Sequence, residues 1–188
     1  MSGLTPAPES APAHPTRIVL TGFMGAGKTT VGALLAERLG WRFVDSDRVV
    51  ETRAGGSIAE IFERQGETAF RELEAATVRD ACQAEQQVLA LGGGALEKAA
   101  TREYLASLPD TLIVFLEAPL ETMMARCAAH EDGPVRPVLA DRERLAGRWS
   151  QRLPWYREAH LTVDTRDLGP EAVTERILQS VGKRGVLA

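Results

Sequence analysis

One segment constrains the fold of this 188-residue chain more than any other, the glycine-rich run 22–29. It follows the short β-branched stretch 17–21 and precedes a stretch with helical spacing of apolar residues, and it fits G-x-x-x-x-G-K-[ST]. Glycines let backbone N–H groups turn toward phosphate oxygens, and the N-terminus of the following helix adds partial positive charge. The run therefore predicts a strand–loop–helix unit that binds a nucleoside triphosphate.

Six consecutive residues of this loop are expected to contact the ATP phosphates and their metal ion: Gly25, Ala26, Gly27, Lys28, Thr29 and Thr30. The loop alone does not separate a kinase from a GTPase, an ATPase or a motor. The chain lacks the Asn/Thr-Lys-x-Asp element that reads guanine, and it contains no Asn at all, which argues against a GTPase. Its length leaves little room for a mechanical ATPase, so a kinase for a small molecule or a nucleotide is favoured.

Strand-like and helix-like patterns alternate along the chain. The apolar strand-like runs are 17–21, 43–44, 87–91, 111–116 and 161–163. The amphipathic stretches are 29–39, 57–84 with a break at Gly66, 101–108, 119–128, 141–159 and a last one from residue 170. This alternation is typical of the α/β class, with a parallel sheet covered by helices on both faces. We expect a single domain over residues 16–188, preceded by a disordered Pro/Ala-rich extension over residues 1–15.

The charge balance and the hydrophobic runs exclude several classes of protein. Lys and Arg number 22 against 26 Asp and Glu, a net charge of −4, so no global basic field indicates nucleic acid. No apolar run approaches the roughly 18 residues of a membrane helix, and the N-terminus lacks a secretory signal. Cys82 and Cys127 show no metal-binding spacing and are expected to be reduced. We therefore expect a cytoplasmic protein without nucleic-acid or membrane partners.

Two carboxylates follow the second predicted strand. Asp45 and Asp47 are two residues apart, so on an extended segment they point the same way. One carboxylate could hold the water shell of Mg²⁺, and the other could accept a proton from an attacking hydroxyl or orient it. The alternative is structural, because Ser46 or Asp47 could cap a helix that begins there.

Two further clusters fit the binding of an acid substrate. Arg71 and Glu74 are three residues apart on a predicted helix and can touch, and the planar Arg fork suits a substrate carboxylate. On composition alone, a solvated charged helix face explains this pair better. Gly92, Gly93 and Gly94 end the third strand and leave bare backbone that a ligand can approach closely, unless they form only a permissive turn.

Arginines are concentrated between residues 126 and 152. The polar loop 130–140 carries Arg136, and a mobile lid with an arginine over the phosphates would exclude water and neutralise developing charge. Solvation at the surface is the alternative for most of these arginines. Spacing alone selects neither Arg136 nor Arg152.

Taken in order, these motifs resemble the shikimate kinase family, over roughly residues 16 to 182. The matching segments are Gly22 to Gly32, Asp45-x-Asp47, Gly66-Glu67-x-x-Phe70-Arg71-x-x-Glu74, Gly92-Gly93-Gly94, Arg136-Pro137-x-Leu139 and Arg152-x-Pro154-x-Tyr156. The resemblance implies a three-layer α/β/α fold like that of the nucleoside monophosphate kinases. Its five parallel strands would take the order 2-3-1-4-5, with a lid at about residues 130–140. It also implies transfer of the ATP γ-phosphoryl group to the 3-hydroxyl of shikimate, on the route to chorismate and the aromatic amino acids.

Carried onto this chain, the resemblance implies a role for each acceptor-site residue. Asp47 would hold the shikimate hydroxyls and act as the base. Arg71, Gly93 and Arg152 would hold the rest of shikimate, with both arginines on its carboxylate. Glu74 would orient Arg71.

The resemblance also implies roles for the residues of the nucleotide and metal site. Thr29 would bind Mg²⁺ directly and Asp45 through water. Lys28 and Arg136 would contact the ATP phosphates during catalysis. Arg126 lies near the place where the family stacks an arginine on adenine.

Two rival interpretations remain at the level of sequence. A gluconate-type sugar-acid kinase would also bind a carboxylate and a hydroxyl on this fold. A nucleotide-binding module without catalysis would not need Lys28, Asp47 and Arg71 together. On the leading interpretation, the expected partners are ATP and shikimate as small-molecule substrates. The expected oligomeric state is a monomer.

Overall fold

Six short strands form one sheet in the computed structural model, which describes residues 4–5, 11–12, 14–129 and 142–182. In chain order the strands are β1 (Leu4–Thr5), β2 (Arg17–Thr21), β3 (Arg42–Asp45), β4 (Gln87–Ala90), β5 (Thr111–Glu117) and β6 (Leu161–Asp164). Across the sheet their order is β1-β6-β5-β2-β4-β3. Strands β2 to β6 pair in parallel, and numbered by themselves they take the order 2-3-1-4-5. The predicted fold class and strand order are therefore confirmed.

Strand β1, beyond the five parallel strands, forms an antiparallel edge that the sequence does not predict. Its backbone pairs with β6, with Leu4 opposite Val163 and Thr5 opposite Thr162. Two residues next to Pro6 carry no periodic pattern, so only the tertiary contact reveals this strand. The disorder expected for the rest of the extension 1–15 stays a prediction.

In the part of the chain that the structure describes, seven α-helices connect and flank the strands. They are α1 (Lys28–Leu39), α2 (Ser46–Ala54), α3 (Ile58–Ala81), α4 (Ala99–Ser107), α5 (Leu120–Ala129), α6 (Arg142–Tyr156) and α7 (Pro170–Gly182), with a short 3₁₀ turn at Ala95–Glu97. The predicted break at Gly66 is confirmed, because this residue has φ 80° and ψ 171° inside α3. None of the described helices combines the length and the apolar character needed to cross a membrane.

The central strands are buried on both faces. Ile18, Val19 and Leu20 of β2 are all fully buried, although successive side chains of a strand point to opposite faces. Val88 and Leu89 of β4 show the same pattern. Helices must therefore cover both faces of the sheet, as its hydrophobic runs predict.

The parallel strands end at one common edge, and this places the motifs together. The loop 22–29 follows β2, residues 45–47 close β3, and the glycines 92–94 follow β4. These three strands are neighbours in the sheet, in the order β2-β4-β3. The Leu91 N–H donates to the carbonyl of Leu20 at 3.0 Å, which keeps β2 and β4 in register up to this edge. Ligands of open α/β sheets bind at this edge.

Candidate functional site

The phosphate loop is held by its own backbone and by a neighbouring helix. Gly27, with φ 93°, precedes the first residue of α1, and no side chain caps that helix end. The Lys28 ammonium donates to the carbonyls of Gly22 and Phe23 at 2.8 and 3.0 Å, so the cation stays folded over the loop. A side chain at position 25 would overlap the Met123 carbonyl of α5, so α5 fixes the path of the loop. The open helix end and the held cation form an anion-binding surface.

The other loop residues expected to contact ATP or its metal ion, Ala26, Thr29 and Thr30, differ in burial and in hydrogen bonding. Ala26 is buried and its N–H donates to the Phe23 carbonyl at 3.2 Å, so its methyl group belongs to the core. Thr30 is exposed at the start of α1. Thr29 donates its hydroxyl to Asp45 Oδ2 at 2.7 Å, which joins the loop to the end of β3. This contact brings together the two residues predicted to hold Mg²⁺.

The first turn of α2 is capped by Asp45, so the prediction of Ser46 or Asp47 as the cap is wrong. Asp45 has extended backbone angles, and its Oδ1 accepts from the N–H of Asp47 at 3.1 Å and from the N–H of Arg48 at 3.5 Å. An N-cap residue needs non-helical angles and a free oxygen, and Asp45 supplies both. Asp45 therefore serves the helix with one oxygen and Thr29 with the other.

The two residues after Asp45 face the glycine segment. Ser46 is buried, and its hydroxyl oxygen accepts from the Gly92 N–H at 2.8 Å. A Cβ at position 92 would overlap Asp47 Oδ1 and would lie 2.9 Å from Glu74 Oε1. Only bare backbone fits between these two carboxylates. Gly92 is therefore more than a permissive turn residue, because the side chains of Asp47 and Glu74 approach its backbone closely.

Arg71 lies among three carboxylates beside the same glycines. Its Nη1 donates to Glu74 Oε2 at 2.8 Å, and its Nη2 lies 2.8 Å from Glu97 Oε2 and 3.4 Å from Glu67 Oε1. A Cβ at position 94 would lie 2.7 Å from Arg71 Nη2. The Arg71 side chain is only 17% exposed. The solvated-face interpretation of this pair is therefore wrong, because α3 turns it toward the sheet edge.

Arg152 approaches Arg71 from α6, 81 positions later in the chain. Its Nε and Nη2 lie 2.7 and 2.5 Å from Glu97 Oε1, and its Nη1 donates to the Gly93 carbonyl at 3.1 Å. Its guanidinium also lies over the Phe23 ring, 5.6 Å from the centroid. The two predicted arginines thus meet on opposite oxygens of one carboxylate, that of Glu97.

Burial sets the ionisation of this cluster. Burial raises the pKa of Glu74 above its ordinary value, Arg71 opposes that rise, and the charges of Asp47 and Glu97 add to it. Burial also disfavours the charge on Arg71, but Glu74 and Glu97 outweigh it, so the pKa of Arg71 is raised. The guanidinium therefore stays charged while the carboxyl beside it is the group that responds to pH.

Tyr156 supports the same corner one helical turn after Arg152. Its hydroxyl donates to the Gly93 carbonyl at 2.5 Å, and its ring stacks on Phe115 with centroids 5.3 Å apart. Burial raises the pKa of the phenol to about 12. The Gly93 carbonyl therefore accepts from both Arg152 and Tyr156, which fixes the direction of the glycine segment.

Arg126 lies at a different corner of the edge. Its Nη1 donates to the Thr165 hydroxyl at 3.1 Å, and its Nη2 donates to the Thr165 carbonyl at 2.5 Å. This places the guanidinium beside the loop between β6 and α7. Arg136 and the predicted lid at about residues 130–140 lie outside the described residues.

Three contributors escape the sequence-based site prediction: Glu97, Ser46 and Tyr156. Glu97 follows the three glycines by three positions, so an acidic residue soon after a strand end was the available signal. Tyr156 stands four residues after Arg152, on the same face of α6. Ser46 offers no signal beyond its place between the two aspartates.

The fold and the edge site together define a kinase of the P-loop class, in which a glycine-rich loop and its lysine face a second, acceptor-binding surface. The family model for shikimate kinase matches residues 24–182. This chain belongs to the shikimate kinase family.

Comparison with known proteins gives the same family by sequence and by structure. The shikimate kinase of Psychrobacter cryohalolentis is 42% identical over 165 residues, which cover 87% of this chain and 88% of that protein. The solved shikimate kinase of Acinetobacter baumannii, in complex with shikimate, has a TM-score of 0.83 and 36% identity, and the match covers 92% of this chain and 96% of that one.

A more distant structure shows the fold alone. A gluconokinase from Sinorhizobium meliloti has a TM-score of 0.61 at 17% identity, over 90% of this chain and 93% of that one. The general fold is therefore shared with sugar-acid kinases, as the rival interpretation from the sequence assumed. The sequence match over most of the chain separates this protein from them.

Proposed function

We propose that this kinase transfers the γ-phosphoryl group of ATP to the 3-hydroxyl of shikimate, giving shikimate 3-phosphate and ADP in aromatic amino acid biosynthesis. One observation carries the proposal. Arg71 and Arg152 both reach the carboxylate of Glu97 within 2.8 Å, beside the glycine segment and Asp47. Two guanidinium groups converging on one carboxylate form a site for an acid, and the planar forks favour bidentate contacts. Family membership supports shikimate as that acid.

Asp47 is the residue we assign to the acceptor hydroxyl. Its carboxylate lies against the backbone of Gly92, on the side of the glycine segment that faces α2. Phosphoryl transfer depends mostly on positioning and on neutralising charge, so one carboxylate that accepts the hydroxyl proton or orients the hydroxyl is enough. Glu74 acts through Arg71, which it holds at 2.8 Å. Backbone atoms of Gly92, Gly93 and Gly94 complete the acceptor surface.

The nucleotide side is supported by the phosphate loop. The N–H groups at the start of α1 and the ammonium of Lys28 would contact the phosphates. Arg126 borders the loop before α7, which supports its assignment to the adenine end. The role of Arg136 on the phosphates stays a prediction from the family resemblance.

Mg²⁺ fits the residues at the end of β3. Thr29 Oγ1 and Asp45 Oδ2 are hard oxygen donors 2.7 Å apart, next to the phosphate loop. Magnesium in such sites keeps several waters and takes few protein ligands besides the substrate phosphates. Bound there with ATP, the ion would offset the negative charge of the phosphates. Thr29 would hold it directly and Asp45 through water.

We extend the proposal to the setting of the enzyme. Residues 16–188 would form one catalytic domain with a lid at about residues 130–140, acting as a cytoplasmic monomer. Net charge and the absence of a long apolar run in the sequence support this setting. Light scattering after size exclusion tests the monomer, whose expected mass is 20.4 kDa.

ADP release from Mg·ATP tests the reaction itself. Purified protein should release ADP with shikimate and not with gluconate. The variant Asp47→Asn should bind ATP with unchanged affinity and lose about 10²- to 10⁴-fold in kcat, the usual contribution of a positioned acid–base group. Asp80→Asn is the matched control. Asp80 is exposed near the C-terminus of α3, where it pairs with Arg53 of α2. Equal kcat in both variants would remove Asp47 from the mechanism, and release with neither acid would refute the assigned substrate.

A further inference from the structure

Glu97 joins the two arginines of the acceptor site. Its Oε2 lies 2.8 Å from Arg71 Nη2, and its Oε1 lies 2.7 Å from Arg152 Nε and 2.5 Å from Arg152 Nη2. The contact with Arg152 uses two N–H groups along one edge of the guanidinium. Each oxygen of one carboxylate therefore belongs to a different arginine, which is the arrangement expected of a bound acid.

The two carboxylates that contact Arg71 at 2.8 Å, Glu74 and Glu97, differ in their access to water. The Glu74 side chain is 4% exposed, whereas the Glu97 side chain is 26% exposed. Glu74 is a fixed partner, because leaving it without Arg71 would strand a buried charge. Glu97 can turn its carboxylate into solvent and regain hydration, so it is the partner that can be exchanged.

The backbone under Glu97 is anchored, so an exchange involves the side chain alone. Arg102 donates to the carbonyls of Leu96 and Glu97 at 2.5 and 3.1 Å. The Arg102 guanidinium itself lies over the Trp155 ring, 4.8 Å from the centroid. The 3₁₀ turn that carries Glu97 is thus tied to α4 and α6, while the carboxylate reaches past it into the site.

Charge counting favours exchange over simultaneous binding. Arg71 and Arg152 carry two positive charges, and the carboxylates within 2.8 Å of them, Glu74 and Glu97, carry two negative charges. Glu67 lies farther from Arg71, at 3.4 Å, and its 64% exposed side chain is screened by water. A substrate carboxylate added to this set would meet a neutral cluster with Asp47 close by. When Glu97 leaves, the cluster has one net positive charge at the place where the acid binds.

We propose that Glu97 is an internal competitor of the substrate: its carboxylate occupies the substrate-carboxylate position between Arg71 and Arg152, and the acid substrate binds by displacing it. This inference rests on the proposed function of the same site. A carboxylate ligand replaces every contact that Glu97 gives up, whereas a neutral polyol of similar shape replaces none. Glu97 thereby sets the affinity of the site for the acid.

The variant Glu97→Gln tests the proposal with little change in shape. A neutral amide holds the two guanidinium groups less strongly, and a charge-assisted contact is worth about 1.5–3 kcal/mol, so the KM for shikimate should fall about fivefold or more. The KM for ATP should stay within about twofold, because no nucleotide contact changes. Glu97→Ala should show a KM for shikimate at least as low. A residue that only positions the arginines would give the opposite sign, a higher KM for shikimate.

Binding of shikimate and of its methyl ester, measured by calorimetry without ATP, provides the second readout. The variant should gain affinity for the acid and not for the ester, because only the carboxylate competes with Glu97. Equal gains for both, or no gain for the acid, would overturn the proposal. Glu72→Gln is the control, because the exposed Glu72 pairs with Lys98 beside the same turn and touches neither arginine. Its affinity should match that of the wild type.

The outcomes separate the two levels of inference. If the wild type phosphorylates shikimate but Glu97→Gln has an equal or higher KM for the acid, the proposed function stands and the displacement falls. If the wild type neither binds nor phosphorylates shikimate, both fall.

Discussion

Replacing Arg71 by Met removes the cation that faces a buried carboxylate and leaves a side chain of similar length. The Glu74 side chain, which is 4% exposed, would then lose the guanidinium that contacts its carboxylate at 2.8 Å. Removing one partner of a buried ion pair costs about 3–5 kcal/mol, and the low end applies because the Arg71 side chain is 17% exposed. We therefore expect Arg71→Met to lower the free energy of unfolding by about 3 kcal/mol at pH 8.

The loss should shrink at lower pH, because Glu74 can escape its penalty by taking up a proton. Neutralising a carboxyl group of ordinary pKa 4.5 costs about 1.4 kcal/mol for each pH unit above that value. Protonating Glu74 costs about 5 kcal/mol at pH 8, more than the roughly 3 kcal/mol penalty for leaving it ionised without Arg71. At pH 5.5 protonation costs only about 1.4 kcal/mol. The stability loss at pH 5.5 should therefore be at most about 1.4 kcal/mol.

The sign of this pH dependence follows from proton counting. Burial already raises the pKa of Glu74, and loss of Arg71 raises it further, since that cation lowers it. Between the ordinary value and the raised value, the folded variant holds a proton that the unfolded chain has released. The free energy of unfolding therefore falls as pH rises through that interval.

Urea denaturation of the wild type and the variant at pH 5.5 and pH 8 measures both losses. The double variant Arg71→Met, Glu74→Gln should recover most of the stability and lose the pH dependence, because the buried carboxylate that lost its partner is gone. Losses that agree within about 0.5 kcal/mol at the two pH values would refute the reasoning. So would a loss below about 1 kcal/mol at pH 8, the value for an exposed pair.

Three further outcomes follow from individual contacts. Gly92→Ala places a Cβ against the Asp47 carboxylate, so kcat should fall about tenfold or more while the Kd for ATP, measured by calorimetry, stays within about twofold. Burial raises the pKa of Cys82 to about 11, so at pH 8 about one thiol in a thousand is ionised. With the other cysteine replaced by Ser, this thiol should react with a disulfide reagent at least about 100-fold more slowly in the folded protein than in urea. Tyr156→Phe removes one of two donors to the Gly93 carbonyl and should cost about 1 kcal/mol in urea denaturation, because the second donor remains.

The phosphate loop and the parallel sheet were predictable because their causes are local or repetitive, whereas the order of the strands came from the family resemblance. The glycines, the lysine and the threonine of residues 22–29 form a pattern that works through the backbone of one short segment. The break at Gly66 is local as well, since its φ of 80° suits glycine. Alternating strands and helices lead to one parallel sheet because the connections are long enough for crossovers.

The acceptor site was predictable only in part. Arg71 and Glu74 share one helix, so their contact follows from spacing. Their burial does not, because a charged helix face looks the same in sequence whether it meets water or the sheet edge. The cap of α2 differs from the prediction for a similar reason, since three adjacent polar residues compete and the path of the chain selects Asp45.

The sequence by itself determined which groups can bind phosphate, which family the motifs resemble, and on which elements the charged residues lie. Tertiary structure alone decided that Glu97 stands between Arg71 and Arg152, because this meeting joins α3, the turn after β4 and α6. It also decided that Leu4–Thr5 extends the sheet. Contacts between segments distant in the chain depend on how strands and helices pack, and no local pattern of residues records that packing.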